Sequence, residues 1–370
     1  MNLRIPGPTP VPDQVLKAVG QQMINHRGPE FQAMQQKITE GLKKVFMTKN
    51  DVVILTSSGT GGLEAAMANT LSPGERIVII SIGEFGERLI KIAKAYGADV
   101  VPVSFPYGTA ADPDKVRQVL KNEPKVETVF LTHNETSTGV TNDLQSLAKV
   151  IKGEFNKTLV VDGVSSVSSI PLPVDEWGID IAVSGSQKGW MTPPGLAMLS
   201  ISPKAWQAIE KSKSPKFYFD LKMAKASAEK GETPWTPAIS IYYGLAAGLD
   251  ILLKEGMGSV YERHASIGAH TRQAIKKMGL ELFVANERYA SNTVTAIKIP
   301  EGVDWKAFNT AMRKEHGVVL GGGQGAIAGK IFRIGHLGYF TQKDIDDCLK
   351  SVQTVMTQMG GFKPVPTRSA

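Results

Sequence analysis

The chain has 370 residues, 42% apolar and 21% charged, with a formal net charge of +7 and an isoelectric point near 9.2. That apolar content excludes a mainly disordered chain, and the longest apolar run, about Ile77 to Ile82, is far too short to span a membrane. The basic balance suits nucleic acid or small anions, but bases alternate with acids and no run of five Lys or Arg occurs, so nucleic acid is not expected.

In chain order, the start moves straight into Pro and Gly with no apolar signal region, which points to the cytoplasm. Prolines at 6, 8, 10 and 12 predict an extended segment over residues 1–20. Helical pattern begins near Asp13 and resumes from Glu30 to Val45. Short Val- and Ile-rich runs follow at Val52–Leu55, Arg76–Ser81, Asp99–Val103, Thr128–Leu131, Thr158–Val161, Ile179–Val183 and Leu196–Ile201. They mostly lack strict alternation, as strands buried on both faces do. Helical candidates lie between them at Gly61–Thr70, Glu87–Tyr96, Asp114–Asn122 and Leu144–Gly153. This order predicts an α/β domain over 21–255 with a mainly parallel sheet. Ser200 to Glu232 is Lys-rich and reads as a solvated face, and Ile239–Glu255 as one long helix. From residue 256 the pattern predicts a smaller α+β domain. It has helices near Val260–Met278, Trp305–Glu315 and Gln342–Met359, and strands near Ala290–Ile299 and Lys330–Gly335. Cys348, the single cysteine, falls in the last of these helices; it rules out an intrachain disulfide and a cysteine-based zinc cluster. The six histidines form no pair with metal-ligand spacing. Phe362 to Ala370 reads as a loose tail, and Gly321–Gly325, which has no following lysine, as a flexible loop.

Three elements carry chemistry. Thr56-Ser57-Ser58-Gly59-Thr60-Gly61-Gly62 links a strand to a helix and offers backbone N–H groups and hydroxyls to an anion. It lacks the lysine of a P-loop, and its glycines do not fit a dinucleotide fingerprint. Asp162 sits at the tip of the apolar run Leu159-Val160-Val161. Lys188 follows another apolar run, in Ser184-Gly185-Ser186-Gln187-Lys188. A lysine placed there sheds its proton more readily and can form a Schiff base. Asp162 and Lys188 stand 26 residues apart, one strand–crossover–strand unit. Neighbouring strands could set them on opposite sides of one flat ligand. Pyridoxal phosphate needs such a pair: a lysine for its aldehyde and an acid to keep its pyridine nitrogen protonated.

In that order the elements resemble the class V aminotransferases of the pyridoxal-phosphate fold type I superfamily. The similarity is greatest to the alanine–glyoxylate and serine–pyruvate (serine–glyoxylate) branch. It runs from Pro6-Gly7-Pro8-Thr9 through Thr132–Val140 to Phe332-Arg333-Ile334-Gly335-His336. The resemblance implies a large domain with a seven-stranded sheet between helices, a small C-terminal domain, and a homodimer with shared sites. It assigns Lys188 the Schiff base and the proton shuttle, and Asp162 the pyridine nitrogen. It assigns Ser58, Gly59, Thr60 and Gln187 to the phosphate. Phe85 stacks on the ring, where many relatives have Trp, and Thr60 stands where the family often has His. Thr136 reaches the 3′ oxygen, Arg333 grips the substrate α-carboxylate, and Thr236 reaches the other subunit's phosphate. The implied reaction is ping-pong transfer of an amino group from alanine or serine to glyoxylate or pyruvate. Rival readings are an aminotransferase for an aminophosphonate or ureidoglycine, a cysteine desulfurase, and a noncatalytic subunit that keeps the fold. A desulfurase needs a cysteine on a mobile loop, which Cys348 does not provide.

Overall fold

A computed structural model describes residues 1–360 of the chain; the loose tail expected from Phe362 to Ala370 lies outside them. The strands in chain order are β1 (Asn2–Arg4), β2 (Asp51–Ser57), β3 (Arg76–Ser81), β4 (Asp99–Ser104), β5 (Thr128–Thr132), β6 (Asn134–Glu135), β7 (Val140–Thr141), β8 (Thr158–Asp162), β9 (Ile181–Gly185), β10 (Gly195–Ile201), β11 (Val294–Lys298), β12 (Val318–Gly322) and β13 (Ile331–Gly335).

Seven of these form one sheet in the order β2-β10-β9-β8-β5-β3-β4. β10 runs antiparallel to both its neighbours, and the other pairings are parallel. Successive side chains leave opposite faces of a strand. Here both faces are apolar: Val52 and Ile54 join the core beneath the Pro29–Phe46 helix, while Val53 and Leu55 join the core beneath the Gly59–Thr70 and Glu84–Ala95 helices. Every residue of β5, β8 and β9 is buried. This double burial explains the continuous apolar runs. β4, on the edge, is the strand that contains a proline, Pro102.

The parallel strands end on one side of the sheet, the side that holds ligands in open α/β sheets. Asp162 closes β8 there, in register with Thr132 of β5 and Val183 of β9. The loops after β2, β3, β5 and β9 gather on the same side.

A four-stranded sheet of order β1-β12-β13-β11 packs with the Met257–Lys277, Trp305–Glu315 and Gln342–Gln358 helices around Phe308, Phe332, Ile334 and Val352. Two expectations change here. Asn2–Arg4 is not simply extended: it is a strand paired in parallel with β12. Gly321 and Gly322 are not a flexible loop but the end of β12, paired with Arg333 and Phe332. The Lys-rich stretch after Ser200 contains two helices, Pro203–Lys211 and Leu221–Ala228, capped by Ser202 and Asp220. Their buried faces are only Ala205 and Ile209, and Leu221 and Ala224, too sparse to outweigh the lysines in a sequence pattern. The helix read over Leu144–Gly153 is α-helical to Ala148 and continues as a π turn to Glu154.

Candidate active site

Lys188 follows β9 on a tight turn that its neighbours fix. Ser186 Oγ donates to the Pro193 carbonyl and accepts from the Leu196 N–H. Trp190, fully buried, donates from its indole N–H to Ser184 Oγ at 2.8 Å. Thr9 adds two bonds, from its N–H to the Gln187 carbonyl and from its hydroxyl to the Lys188 carbonyl. The amine is thus presented by a rigid loop while its own Nζ donates at 2.6 Å to the Pro6 carbonyl. Gly7 lies against it at φ +125°, where a Cβ would stand 2.7 Å from Nζ. A side chain there is excluded both by space and by backbone conformation.

Asp162 is 5% exposed and accepts from the Val164 N–H at 3.0 Å. Burial pushes its carboxyl up to about 6, while the Val164 bond and the positive charges of Lys188 and Arg88 oppose the rise. Burial pulls Lys188 down to about 8; Asp162 opposes that, and Arg333 and Arg88 reinforce it. The aspartate and the lysine therefore act on each other's charge across the sheet edge.

Ser58, Gly59 and Thr60 begin the Gly59–Thr70 helix, whose first N–H groups have no partner within the helix. Gly59 is buried beside Val164, two residues after Asp162. Gln187 Oε1 is buried without a hydrogen-bond partner, an orphan polar atom that points to a ligand donor or water. Thr60 Oγ1 accepts from Arg88 Nη1 at 3.1 Å, and the Arg88 guanidinium lies 4.6 Å from the centre of the Phe85 ring.

Arg333, on β13, is 5% exposed. It donates from Nε to the Gly322 carbonyl and from Nη1 to the Thr136 carbonyl, both at 2.9 Å. Burial lowers its pKa to about 10, against the opposing charge of Glu135. Among the described residues none accepts from Nη2, which leaves an edge of the fork for an anion. Thr136 is buried, and it is its carbonyl that meets Arg333.

The structure thus gathers Ser58, Gly59, Thr60, Phe85, Thr136, Asp162, Gln187 and Lys188 at the ends of the large sheet's strands, where β13 of the small sheet brings Arg333. Thr236 stands apart. It is exposed and lines a shallow cleft with Thr56, Tyr218 and Trp235. Arg27 pairs with Glu232 at 2.9 Å. His133 is held through its backbone, which donates to the Asp162 carbonyl, while its Nδ1 is unpartnered. Arg88, Glu135 and the Pro6 carbonyl went unread in the sequence. Arg88 had a signal, since it lies three residues after Phe85 and so on the same helix face. Glu135 and Pro6 had none, because their contacts depend on tertiary folding.

Residues 1–347 match the family model described as Aminotransferase class-V. The chain belongs to the class-V aminotransferases. Its fold is that of the pyridoxal-phosphate fold type I enzymes. The crystal structure of an alanine–glyoxylate aminotransferase from Nostoc sp. superposes with a TM-score of 0.92 at 31% identity, covering 96% of this chain and 94% of that one. A serine–glyoxylate aminotransferase of Methylorubrum extorquens is 38% identical over 91% of this chain and 86% of its own length. A protein named as the small subunit of a soluble hydrogenase, from Synechococcus sp., is 40% identical over 97% of this chain and 93% of its own length. Membership implies pyridoxal phosphate as cofactor. The residues present fit it: a buried carboxylate facing a depressed-pKa amine, a helix N-terminus with free donors, and the orphan Gln187 oxygen. Among the described residues no group of three His, Cys, Asp or Glu is placed to hold a metal, and no helix is long and apolar enough to cross a membrane.

Proposed function

We propose that this protein is a pyridoxal-phosphate-dependent transaminase. In this reading it moves an amino group from alanine or serine to glyoxylate or pyruvate in two half-reactions. The observation that carries the reading is the convergence of Asp162, Lys188 and Arg333 where the ends of the large sheet's strands meet β13. Lys188 would hold the cofactor's aldehyde carbon, Asp162 its pyridine nitrogen, and Ser58, Gly59, Thr60 and Gln187 its phosphate. Phe85 would cover the ring and Thr136 would meet the 3′ oxygen. Bound there, the cofactor supplies an electron sink for the substrate α-carbon.

The chain's own residues do the rest. Arg333 grips the α-carboxylate through the edge its carbonyl partners leave open and so fixes which α-bond is presented. Lys188 Nζ, neutral in a useful fraction near pH 8, takes the α-proton and gives it back on the other side of the transfer. Asp162, held ionised above its raised pKa, keeps positive charge on the ring nitrogen. Lys188→Ala should lower turnover by at least about 10²–10⁴-fold, the range for a positioned acid–base group. Normal turnover by that variant with added cofactor overturns the assignment.

Homodimerisation and a cytoplasmic location belong to the same proposal. Phe217 is 70% exposed and stacks on Trp235 at 4.8 Å, beside Tyr218 and Thr236. That aromatic face suits a second copy, which would bring Thr236 to the neighbouring phosphate. The single cysteine suits a reducing compartment.

The hydrogenase-subunit relative supports a second reading, a noncatalytic subunit with this fold. Retention of Lys188, Asp162 and Arg333 weighs against it, and one cysteine gives the chain no set of thiolate ligands. An aminophosphonate or ureidoglycine substrate would keep the mechanism and change the donor, so the turnover assays should include both.

A further inference from the structure

Glu135 is completely buried beside the site and has no part in the proposed chemistry. Its Oε2 accepts from the backbone N–H groups of Phe85 at 3.0 Å and Gly86 at 3.2 Å. Its Oε1 accepts from the Ser137 N–H at 3.1 Å and the Ser137 hydroxyl at 2.6 Å. Ser137 Oγ in turn accepts from the Glu84 N–H at 3.0 Å. The first turn of the Glu84–Ala95 helix is therefore capped by Glu135, at the end of β6, and by Ser137 just after it, about 50 residues away in sequence. The helix supplies no cap of its own, since Gly83 holds the N-cap position. Gly83 is extended at φ 169°, so its backbone suits any residue. What excludes a side chain is space: a Cβ would lie 2.5 Å from Glu135 Cγ. A buried carboxylate is tolerated when several donors favour its charged form, and a negative group at a helix N-terminus also meets the helix dipole.

That helix carries two groups at the site. Phe85 sits in its first turn, and Arg88, one turn later, lies over the Phe85 ring and reaches Thr60. The residue after Glu135 is Thr136, whose carbonyl anchors Arg333. One carboxylate thus ties the aromatic shelf to the strand arginine.

We propose that Glu135 is a positioning residue that holds the Phe85 ring and, through Thr136, Arg333 at the spacing that a flat cofactor and a substrate carboxylate require together. This rests on the pyridoxal-phosphate reading above.

The test compares cofactor-free wild type, Glu135→Gln, Phe85→Ala and the double variant by titration with pyridoxal phosphate, followed by absorbance and circular dichroism of the bound cofactor. Glu135→Gln keeps the shape but turns an accepting oxygen into a donor facing N–H groups. Its dissociation constant should rise about tenfold, the loss of one charge-assisted hydrogen bond. The double variant should bind no worse than Phe85→Ala alone, because both act through the same ring. The dichroism of the bound cofactor should weaken, and KM for the amino donor should rise more than kcat falls. Gly83→Ala displaces Glu135 without altering its charge and should reproduce these changes; it stands in for Glu135→Gln if that variant does not fold. Folded variants that bind and report the cofactor as wild type does, or effects that add in full, overturn the proposal while wild-type turnover leaves the underlying function intact. A wild type that binds no pyridoxal phosphate overturns both.

Discussion

Lys188 is held between opposing influences. Burial and two arginines drive its proton off, and Asp162 holds it on, with a balance near 8. The neutral amine is the form that attacks an aldehyde. Capture of pyridoxal phosphate by the cofactor-free protein should therefore be slow at pH 6, rise through about pH 8, and level off above it. Stopped-flow absorbance measures that profile, and a rate that keeps rising to pH 10.5 means an unperturbed lysine. Asp162 works in the other direction. Its pKa near 6 means that the carboxylate is lost as pH falls through that value, so cofactor affinity should decline below pH 6. Arg333→Ala should raise KM for the amino donor about 10- to 100-fold, the range for a hydrogen-bonded charged group. An unchanged KM would remove Arg333 from the carboxylate site.

At the scale of elements, residues 5–9 form a strap between the small sheet and Lys188. β1 pairs with β12, Pro6 offers its carbonyl to Nζ, and Thr9 pins the lysine turn. Gly335, at the end of β13, makes room for it: a Cβ there would stand 2.2 Å from the Ile5 carbonyl. Gly335→Ala should destabilise the protein by about 1–3 kcal/mol through overpacking, read as a lower midpoint in urea. It should also expose the strap to limited proteolysis; wild-type stability and cleavage would contradict this packing. The Gln342–Gln358 helix buries Cys348, whose thiol burial pushes up to about 12. Cys348 should thus resist alkylation until the protein is unfolded. These elements differ in how far the sequence revealed them. The doubly buried strands and the long Ile239–Glu255 helix were legible because burial writes a continuous pattern into the chain. β1 and β12 were not: one is three residues beside prolines, and the other ends in two glycines, Gly321 and Gly322. Lys188, Asp162 and the Ser58–Thr60 loop stood out because each combines an unusual residue with an element boundary. Glu135 did not, since the two helix N–H groups it caps, on Phe85 and Gly86, reach it only through folding.

At the scale of the whole molecule, the two sheets cooperate in one site. The large sheet presents Asp162 and the Lys188 turn at the ends of its strands, and the small sheet supplies Arg333 and the strand that leads into the Pro6 strap. The exposed Phe217 and Tyr218 stack on the half-buried Trp235 beside Thr236, the face the proposed dimer would use. Sedimentation should give a dimer, and a fully active monomer would refute the shared site. The central claim is tested most directly by the visible absorbance of the purified protein, incubated with pyridoxal phosphate, before and after L-alanine or L-serine and then after glyoxylate. A yellow band that bleaches with the amino acid and returns with glyoxylate is the predicted result. A protein that stays colourless with the cofactor, or a band that no amino donor alters, contradicts it.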